Sequence, residues 1–149
     1  MSKVRVILGS KSDLEIGNKI LEYLDLFQIE YDFHISSAHR KPLATSLLAK
    51  NAEKEGFSLI IAAAGMAAHL PGVVASYTTL PVIGVPLSSH VLPGTDALFS
   101  VVMMPTGVPV ATVAIDGGKN AAILAAQILS LFDSKIKKNL LLFKENLSK

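Results

Sequence analysis

A histidine and an arginine stand side by side in the polar segment 36–42, as His39 and Arg40. An imidazole can give and accept a proton near neutral pH, and a guanidinium can hold a phosphate or carboxylate through two parallel hydrogen bonds. A neighbouring cation also favours the neutral, basic form of the imidazole. The pair predicts a proton-transfer group beside an anion anchor, although a surface loop with solvated charges is the plain alternative.

Segment 9–13 reads Gly-Ser-Lys-Ser-Asp and follows an apolar run. Two hydroxyls, from Ser10 and Ser12, at the start of a helix suit a bound phosphate. Asp13 repels phosphate but suits ribose hydroxyls or an amine. Ordinary helix capping by Ser12 or Asp13 explains the same residues, so the segment predicts a nucleotide cradle or a capped helix.

Segment 64–72 has almost no polar side chain apart from His69. Small residues let a ligand lie against the backbone, whose amides then become the recognition groups. A lone histidine in such a segment is more often structural than catalytic. We interpret His34 and His90 as surface or packing residues, because no metal-ligand spacing joins the histidines, and we expect no metal site.

The elements that must position these residues alternate between strands and helices. Strands are predicted at 4–8, 30–35, 59–64, 82–85 and 110–115, of which 4–8 and 59–64 read as buried. Helices are predicted from 13 to about 27, at 43–55, from near Pro71, and at 95–104, 120–132 and 135–147. This order predicts an α/β fold with three layers, a doubly wound parallel sheet of the flavodoxin-like type. Ligands of such sheets bind beyond the carboxyl ends of the strands, which is where the three polar or small segments lie.

Length and composition fit one domain over residues 1–149, with a C-terminal helical extension from about 135. The net charge of +2, without a run of basic residues, argues against a nucleic-acid surface. With no cysteine, the chain has no disulfide, thiolate nucleophile or Cys-ligated metal. The N-terminal apolar stretch is too short for a signal peptide or membrane span, so we expect a cytoplasmic protein.

Segments 9–13, 37–40 and 67–72 together resemble the signature segments of the class I N5-carboxyaminoimidazole ribonucleotide mutases, the catalytic subunits of bacterial phosphoribosylaminoimidazole carboxylase. Further matching stretches lie at 81–86, 104–112 and 120–122, so the resemblance spans about residues 4–131. It implies a three-layer α/β fold, usually an octamer, with active sites where subunits meet. It also implies a C-terminal helix that packs on a neighbouring subunit, which the apolar stretch 140–143 fits.

The resemblance also assigns roles to individual residues. His39 would transfer protons, and Ser37 and Arg40 would anchor the phosphate. The remaining nucleotide contacts would be Ser10, Ser12 and Asp13. The region that holds the migrating carboxylate would be lined by Gly65, Met66, Ala67, Ala68, His69 and Leu70.

The implied reaction moves a carboxylate from N5 to C4 of an aminoimidazole ribonucleotide, through CO2 held in a pocket closed to water. It needs no cofactor, because the carboxyl group is already activated as a carbamate, and a separate synthetase would supply that carbamate. Leu14, Lys41 and Met66 depart from the usual family pattern, and Met66 stands where glycine is frequent. The stretch from Ala67 to Leu70 favours the class I branch. The alternatives are direct carboxylation with CO2, as in class II, and a flavodoxin-like nucleotide-binding module without this chemistry.

Overall fold

Five parallel strands alternate with helices in the computed structural model, which describes residues 2–149. The strands are β1 (Lys3–Leu8), β2 (Glu30–Ile35), β3 (Leu59–Gly65), β4 (Val82–Leu87) and β5 (Ala111–Thr112). The α-helices are α1 (Leu14–Leu26), α2 (Pro42–Asn51), α3 (Leu70–Ser76), α4 (Thr95–Val102), α5 (Gly118–Leu129) and α6 (Ser134–Leu147). A short 3₁₀ turn, Lys11–Asp13, precedes α1.

The strand order β2-β1-β3-β4-β5, with every pair parallel, confirms the predicted doubly wound, flavodoxin-like sheet. The register pairs Leu8 with both Ile35 and Ala63, and Gly65 with Leu87. The carboxyl ends of β1, β2, β3 and β4 therefore lie at the same level. The loops that follow them open onto the same edge of the sheet.

Two apolar layers cover the two faces of the sheet. Residues of α1, α5 and α6 pack with one face, and residues of α2, α3 and α4 pack with the other. This explains why β3 and β4 read as continuous apolar runs, since both faces are buried. Helices α1 and α5 approach closely at Gly118, where a Cβ would lie 3.0 Å from the carbonyl oxygen of Ile16.

Several element ends differ from the sequence prediction. Helix α2 stops at Asn51 rather than 55, because the chain turns through Gly56, with φ +89°, to bring Phe57 back onto the Ala52 carbonyl at 3.0 Å. Strand β5 is much shorter than 110–115, and helix α4 ends at Val102 before Pro105. Capping of α1 by Ser12 or Asp13 was also wrong: Asp13 stands at the N-cap without a side-chain bond, and the Ser10 hydroxyl caps the preceding turn.

The C-terminal helix α6 packs on its own domain with one face. Leu140 is buried, and the Phe143 ring meets the Phe27 ring edge-on at 5.3 Å. Within the stretch 140–143, the first and last residues therefore face inward. Leu141 and Leu142 are 52% and 50% exposed and remain open to a neighbour. No helix within residues 2–149 is long and apolar enough to cross a membrane.

A buried arginine ties the first two strands to the end of α2. Arg5 is 3% exposed, and its guanidinium bonds Asp32, Glu55 and the Leu48 carbonyl, the last at 2.8 Å. Burial is the largest influence on the pKa of Asp32 and raises it. The hydrogen bonds from Arg5 and His34 together outweigh burial, and they leave this pKa below its usual value. This network fixes α2 behind the loop that carries His39.

Candidate active site

A pocket of about 580 Å³ opens at the carboxyl edge of the sheet, where the loops after β1, β2, β3 and β4 meet. A cavity of this size suits a mononucleotide. It is lined by Gly9, Ser10, Ser12, Asp13, Ser37, Ala38, His39, Arg40, Ala64, Gly65, Met66, Ala67, Leu70, Ser88, Ser89 and His90.

The loop after β1 begins where the Gly9 N–H bonds the Ala63 carbonyl at 3.1 Å. The Ser12 hydroxyl donates to the Ser10 hydroxyl oxygen at 3.0 Å, so the two serines lie together at the mouth of the turn. Burial raises the pKa of Asp13, and hydrogen bonds from Ser10 and Ser12 partly offset that rise. The loop thus presents two hydroxyls and a half-buried carboxylate to the pocket.

The loop after β2 is a tight turn held by hydroxyl groups. The Arg40 N–H donates to the Ser37 hydroxyl oxygen at 3.1 Å, and the Thr45 hydroxyl donates to the Lys41 carbonyl at 2.8 Å. Behind them, the Ser36 and Thr45 hydroxyls lie 2.6 Å apart and are buried. These bonds fix the backbone on both sides of His39.

His39 reaches across to the loop after β3. Its Nε2 lies 2.7 Å from Nδ1 of His69, and the two rings stand at 78° to each other. Such a bond requires one ring to donate a proton and the other to accept it. His69, which the sequence presents as a lone histidine, is therefore the hydrogen-bond partner of the predicted proton-transfer residue.

The rest of the loop after β3 divides between the pocket and the core. Gly65, Ala67 and Leu70 line the pocket, whereas Ala68 is fully buried in the core and is not among the lining residues. Met66 lines the pocket with φ +44°, in the left-handed region. Glycine adopts that conformation at a lower cost than other residues, which fits the glycine that the family resemblance leads us to expect at this position.

Sequence reasoning missed the contribution of the loop after β4. Ser88, Ser89 and His90 all line the pocket, although we had interpreted His90 as a surface or packing residue. The available signal was the position of this segment, because the loop after β4 must share the sheet edge with the others.

A smaller cavity of about 290 Å³ beside the main pocket is lined by three basic residues. Its lining includes Lys11, Arg40 and Lys41 together with Ser10 and Ser37. Cations beside hydroxyl groups suit a phosphate. Lys11 and Lys41 are further residues that sequence reasoning did not assign. Within residues 2–149, no cluster of three or more His, Cys, Asp or Glu side chains is arranged to hold a metal ion.

A parallel α/β sheet with a nucleotide-sized pocket across its carboxyl ends is typical of the α/β proteins that bind nucleotides. A family model described as AIR carboxylase matches residues 3–149. The chain belongs to this family, which confirms the resemblance found in its sequence segments.

Individual relatives agree with the family match. The chain is 56% identical over 142 residues to the N5-carboxyaminoimidazole ribonucleotide mutase of Saccharolobus solfataricus, covering 93% of this chain and 90% of the relative. It is 52% identical over 149 residues to the mutase of Thermotoga maritima, covering 100% of this chain and 87% of the relative. A crystal structure of Treponema denticola PurE superposes with a TM-score of 0.88 at 33% identity, covering 99% of this chain and 92% of that one.

Proposed function

We propose that this protein converts N5-carboxyaminoimidazole ribonucleotide to 4-carboxy-5-aminoimidazole ribonucleotide, a step of de novo purine synthesis, and is therefore an isomerase. The observation that carries the proposal is His39 in the pocket, hydrogen-bonded to His69 at 2.7 Å. The mutase names of the Saccharolobus solfataricus and Thermotoga maritima relatives support it.

The charge distribution supports one orientation of the substrate. The phosphate binds in the smaller cavity, where Arg40, Lys11 and Lys41 supply positive charge. Asp13 accepts hydrogen bonds from the ribose hydroxyls at the start of α1. The aminoimidazole ring then extends toward the histidine pair and the loop after β3.

His39 moves the protons of the reaction. In its protonated form it gives a proton to the exocyclic nitrogen as the C–N bond of the carbamate breaks and CO2 leaves. The electron-rich ring then attacks CO2 through C4, forming the new C–C bond. Neutral His39 removes the C4 proton, which restores aromaticity and regenerates the starting imidazolium, so that a single group serves both steps.

The small residues of the loop after β3 suit the CO2 intermediate. Gly65 and Ala67 present backbone and methyl groups to the pocket, and Leu70 adds an apolar side chain. Such a lining holds a small, nearly apolar molecule close to C4 and avoids the entropy of recapturing it from solution. We assign Met66, Ala68 and His69 to the same region, with Ala68 acting from beneath through packing.

The pocket of the single chain is open to solvent, since His39 and His69 are both exposed. The expectation of a cavity closed to water is therefore not met within one chain. We propose that neighbouring subunits close it in a homo-oligomer, an octamer as the family resemblance implies, and that the exposed Leu141 and Leu142 of α6 pack on a neighbour. We also propose that the enzyme is cytoplasmic and receives its carbamate from the synthetase of the preceding step.

The decisive experiment gives purified protein the carbamate substrate without ATP or added bicarbonate and follows the C4-carboxylated product by absorbance. Product formation well above the uncatalysed rate supports the proposal. Absence of product from a folded oligomer would contradict it.

Direct carboxylation is the alternative, which the mutase names of the relatives do not favour, although the family description reads AIR carboxylase. Labelled bicarbonate distinguishes the two reactions when it is supplied in one incubation with the unlabelled carbamate and in another with aminoimidazole ribonucleotide. A mutase transfers the unlabelled carboxylate of its own substrate into product, whereas a carboxylase incorporates label without needing the carbamate. A purely nucleotide-binding module would do neither.

A further inference from the structure

The segment after β4, residues 88–94, is held at both ends by the junction between β5 and α5. At its start, the carboxylate of Asp116 accepts hydrogen bonds from the Ser88 backbone N–H, at 3.0 Å, and from the Ser88 hydroxyl. At its end, Gly94 packs against Ile115 so tightly that a Cβ there would lie 2.6 Å from Cγ2 of that side chain. Two consecutive residues therefore anchor the whole segment, which we call the β4 wall.

Between its anchors the β4 wall is bonded to itself. The hydroxyl oxygen of Ser89 accepts hydrogen bonds from the N–H groups of Val91 and Leu92, at 3.2 Å and 3.0 Å. The Ser89 N–H in turn donates to the Leu92 carbonyl at 2.9 Å. The segment is thus a compact unit, and its place in the molecule depends mainly on how its ends are held.

The β4 wall contributes Ser88, Ser89 and His90 to the lining of the main pocket. Asp116 is not among the residues that line this pocket. A displacement of the wall changes the width of the pocket without touching the loops that carry His39 and Asp13.

The backbone of Asp116 is suited to this anchoring. Its φ is +59°, a left-handed conformation that Asp and Asn adopt more readily than most residues. Its N–H donates to the Pro86 carbonyl at 2.9 Å, and its own carbonyl accepts from the Gly118 N–H at 3.0 Å. These bonds hold Asp116 against the end of β4, directly beside Ser88.

We propose that Asp116 is a positioning residue for substrate binding, which fixes the β4 wall as the fourth side of the pocket. Affinity for the ribonucleotide then depends on a carboxylate that does not touch it. The identity of that ribonucleotide rests on the proposed function. Turnover of bound substrate depends on His39, which a different loop carries, and does not change.

Three variants test the anchor. Asp116→Gly removes both bonds to Ser88 while suiting the left-handed backbone. Asp116→Asn is the matched control, because its amide oxygen still accepts from the Ser88 N–H and its amide nitrogen can donate to the hydroxyl. Ser88→Ala removes the hydroxyl bond alone.

We expect Asp116→Gly to raise KM about tenfold with kcat within about twofold of wild type, because it loses hydrogen bonds to a charged acceptor. Asp116→Asn should restore KM to within about twofold, and Ser88→Ala should fall between them. Hydrogen exchange should show faster exchange of the Ser88 amide in the glycine variant only, because that variant removes its acceptor. A merely structural residue would alter melting temperature without this split between KM and kcat.

A glycine variant with wild-type KM overturns the proposal, as does a fall in kcat at unchanged KM. Equal defects in the glycine and asparagine variants also overturn it.

If wild-type protein fails to turn over the carbamate, the proposed function fails. Calorimetric binding of the C4-carboxylated ribonucleotide then decides the inference, and equal Kd values for wild type and variants overturn it. If the glycine variant does not fold, Ser88→Ala with an unchanged KM overturns it.

Discussion

The contact between His39 and His69 predicts a specific pattern of losses when the two rings are removed singly and together. His39→Asn removes the proton-transfer group and should reduce kcat by roughly 100- to 10,000-fold, the usual contribution of general acid–base catalysis. His69→Ala removes one hydrogen bond of 2.7 Å between exposed rings. A net hydrogen bond is worth about 0.5–1.5 kcal/mol, so this change should cost roughly 2- to 13-fold.

The double variant separates two roles for His69. If His69 acts only by orienting His39, removing it matters no further once His39 is gone. The double variant should then match His39→Asn, and the coupling free energy should equal the whole effect of His69→Ala. If His69 has its own task in the reaction, the two losses should multiply.

The assay follows the C4-carboxylated product by absorbance at saturating carbamate, and calorimetry of product binding checks that each variant retains its pocket. His34→Asn is the matched control, because His34 bonds Asp32 at 2.9 Å and does not line the main pocket. It should keep wild-type kcat and KM. A His69→Ala loss as large as that of His39→Asn would refute the assignment of roles, as would multiplying losses in the double variant. Near wild-type turnover by His39→Asn would discard His39 altogether.

Three further predictions concern binding and stability. Arg40→Ala should raise KM about 10- to 100-fold and change kcat little, since phosphate is a remote binding handle; steady-state kinetics check this, and a pure kcat defect would contradict it. Asp13→Asn should also raise KM, yet it should raise the melting temperature of the substrate-free protein at neutral pH. Burial raises the pKa of Asp13, so its charged form lowers the stability of the folded protein once the pH exceeds that pKa. A lowered melting temperature would refute this prediction. Arg5→Ala should lower the free energy of unfolding by about 2–3 kcal/mol in urea, below the range for a fully buried pair because its partners are partly exposed. Since the pKa of Asp32 is lowered, Asp32 should contribute to the free energy of unfolding at neutral pH, and this contribution should be lost as the pH falls below the usual carboxyl range. In Asp32→Asn, the free energy of unfolding should therefore depend less steeply on pH in acid.

The strands were the most predictable part of the fold, because a strand buried on both faces leaves an unbroken apolar run. The predicted starts of β3 and β4, which are such runs, match the structure, and so does the start of β2, which is only partly buried. Element ends were less predictable, because they depend on contacts made elsewhere. Helix α2 ends before Phe57 folds back on Ala52, and β5 ends at Thr112, before the chain turns at Asp116 with φ +59°. Neither element end coincides with its turn signal, since Gly56 lies beyond the true helix end and Asp116 lies beyond the true strand end.

The candidate site was predictable loop by loop but not as an arrangement. The rule for parallel sheets selects the loops after each strand, and it led to His39, Arg40 and Asp13. The pairing of His39 with His69 depends on strand order, because β1 lies between β2 and β3 in the sheet. A sequence of alternating strands and helices does not state that order, so the distance between the two histidines had no sequence signal. His90 was placed outside the site although its segment follows β4 and therefore opens onto the same sheet edge.

The single chain supplies the reactive groups of the proposed reaction but not the enclosure that it requires. Released CO2 would escape from a pocket lined by the exposed residues His39 and His90, whereas the ligand-facing backbone at Gly65 and the Asp116 anchor are already in place. Enclosure must therefore come from the substrate, from another copy of the chain, or from both. The half-exposed Leu141 and Leu142 provide an apolar surface that solvent covers at a cost. In the homo-oligomer proposed above, burial of this surface would stabilise the assembly.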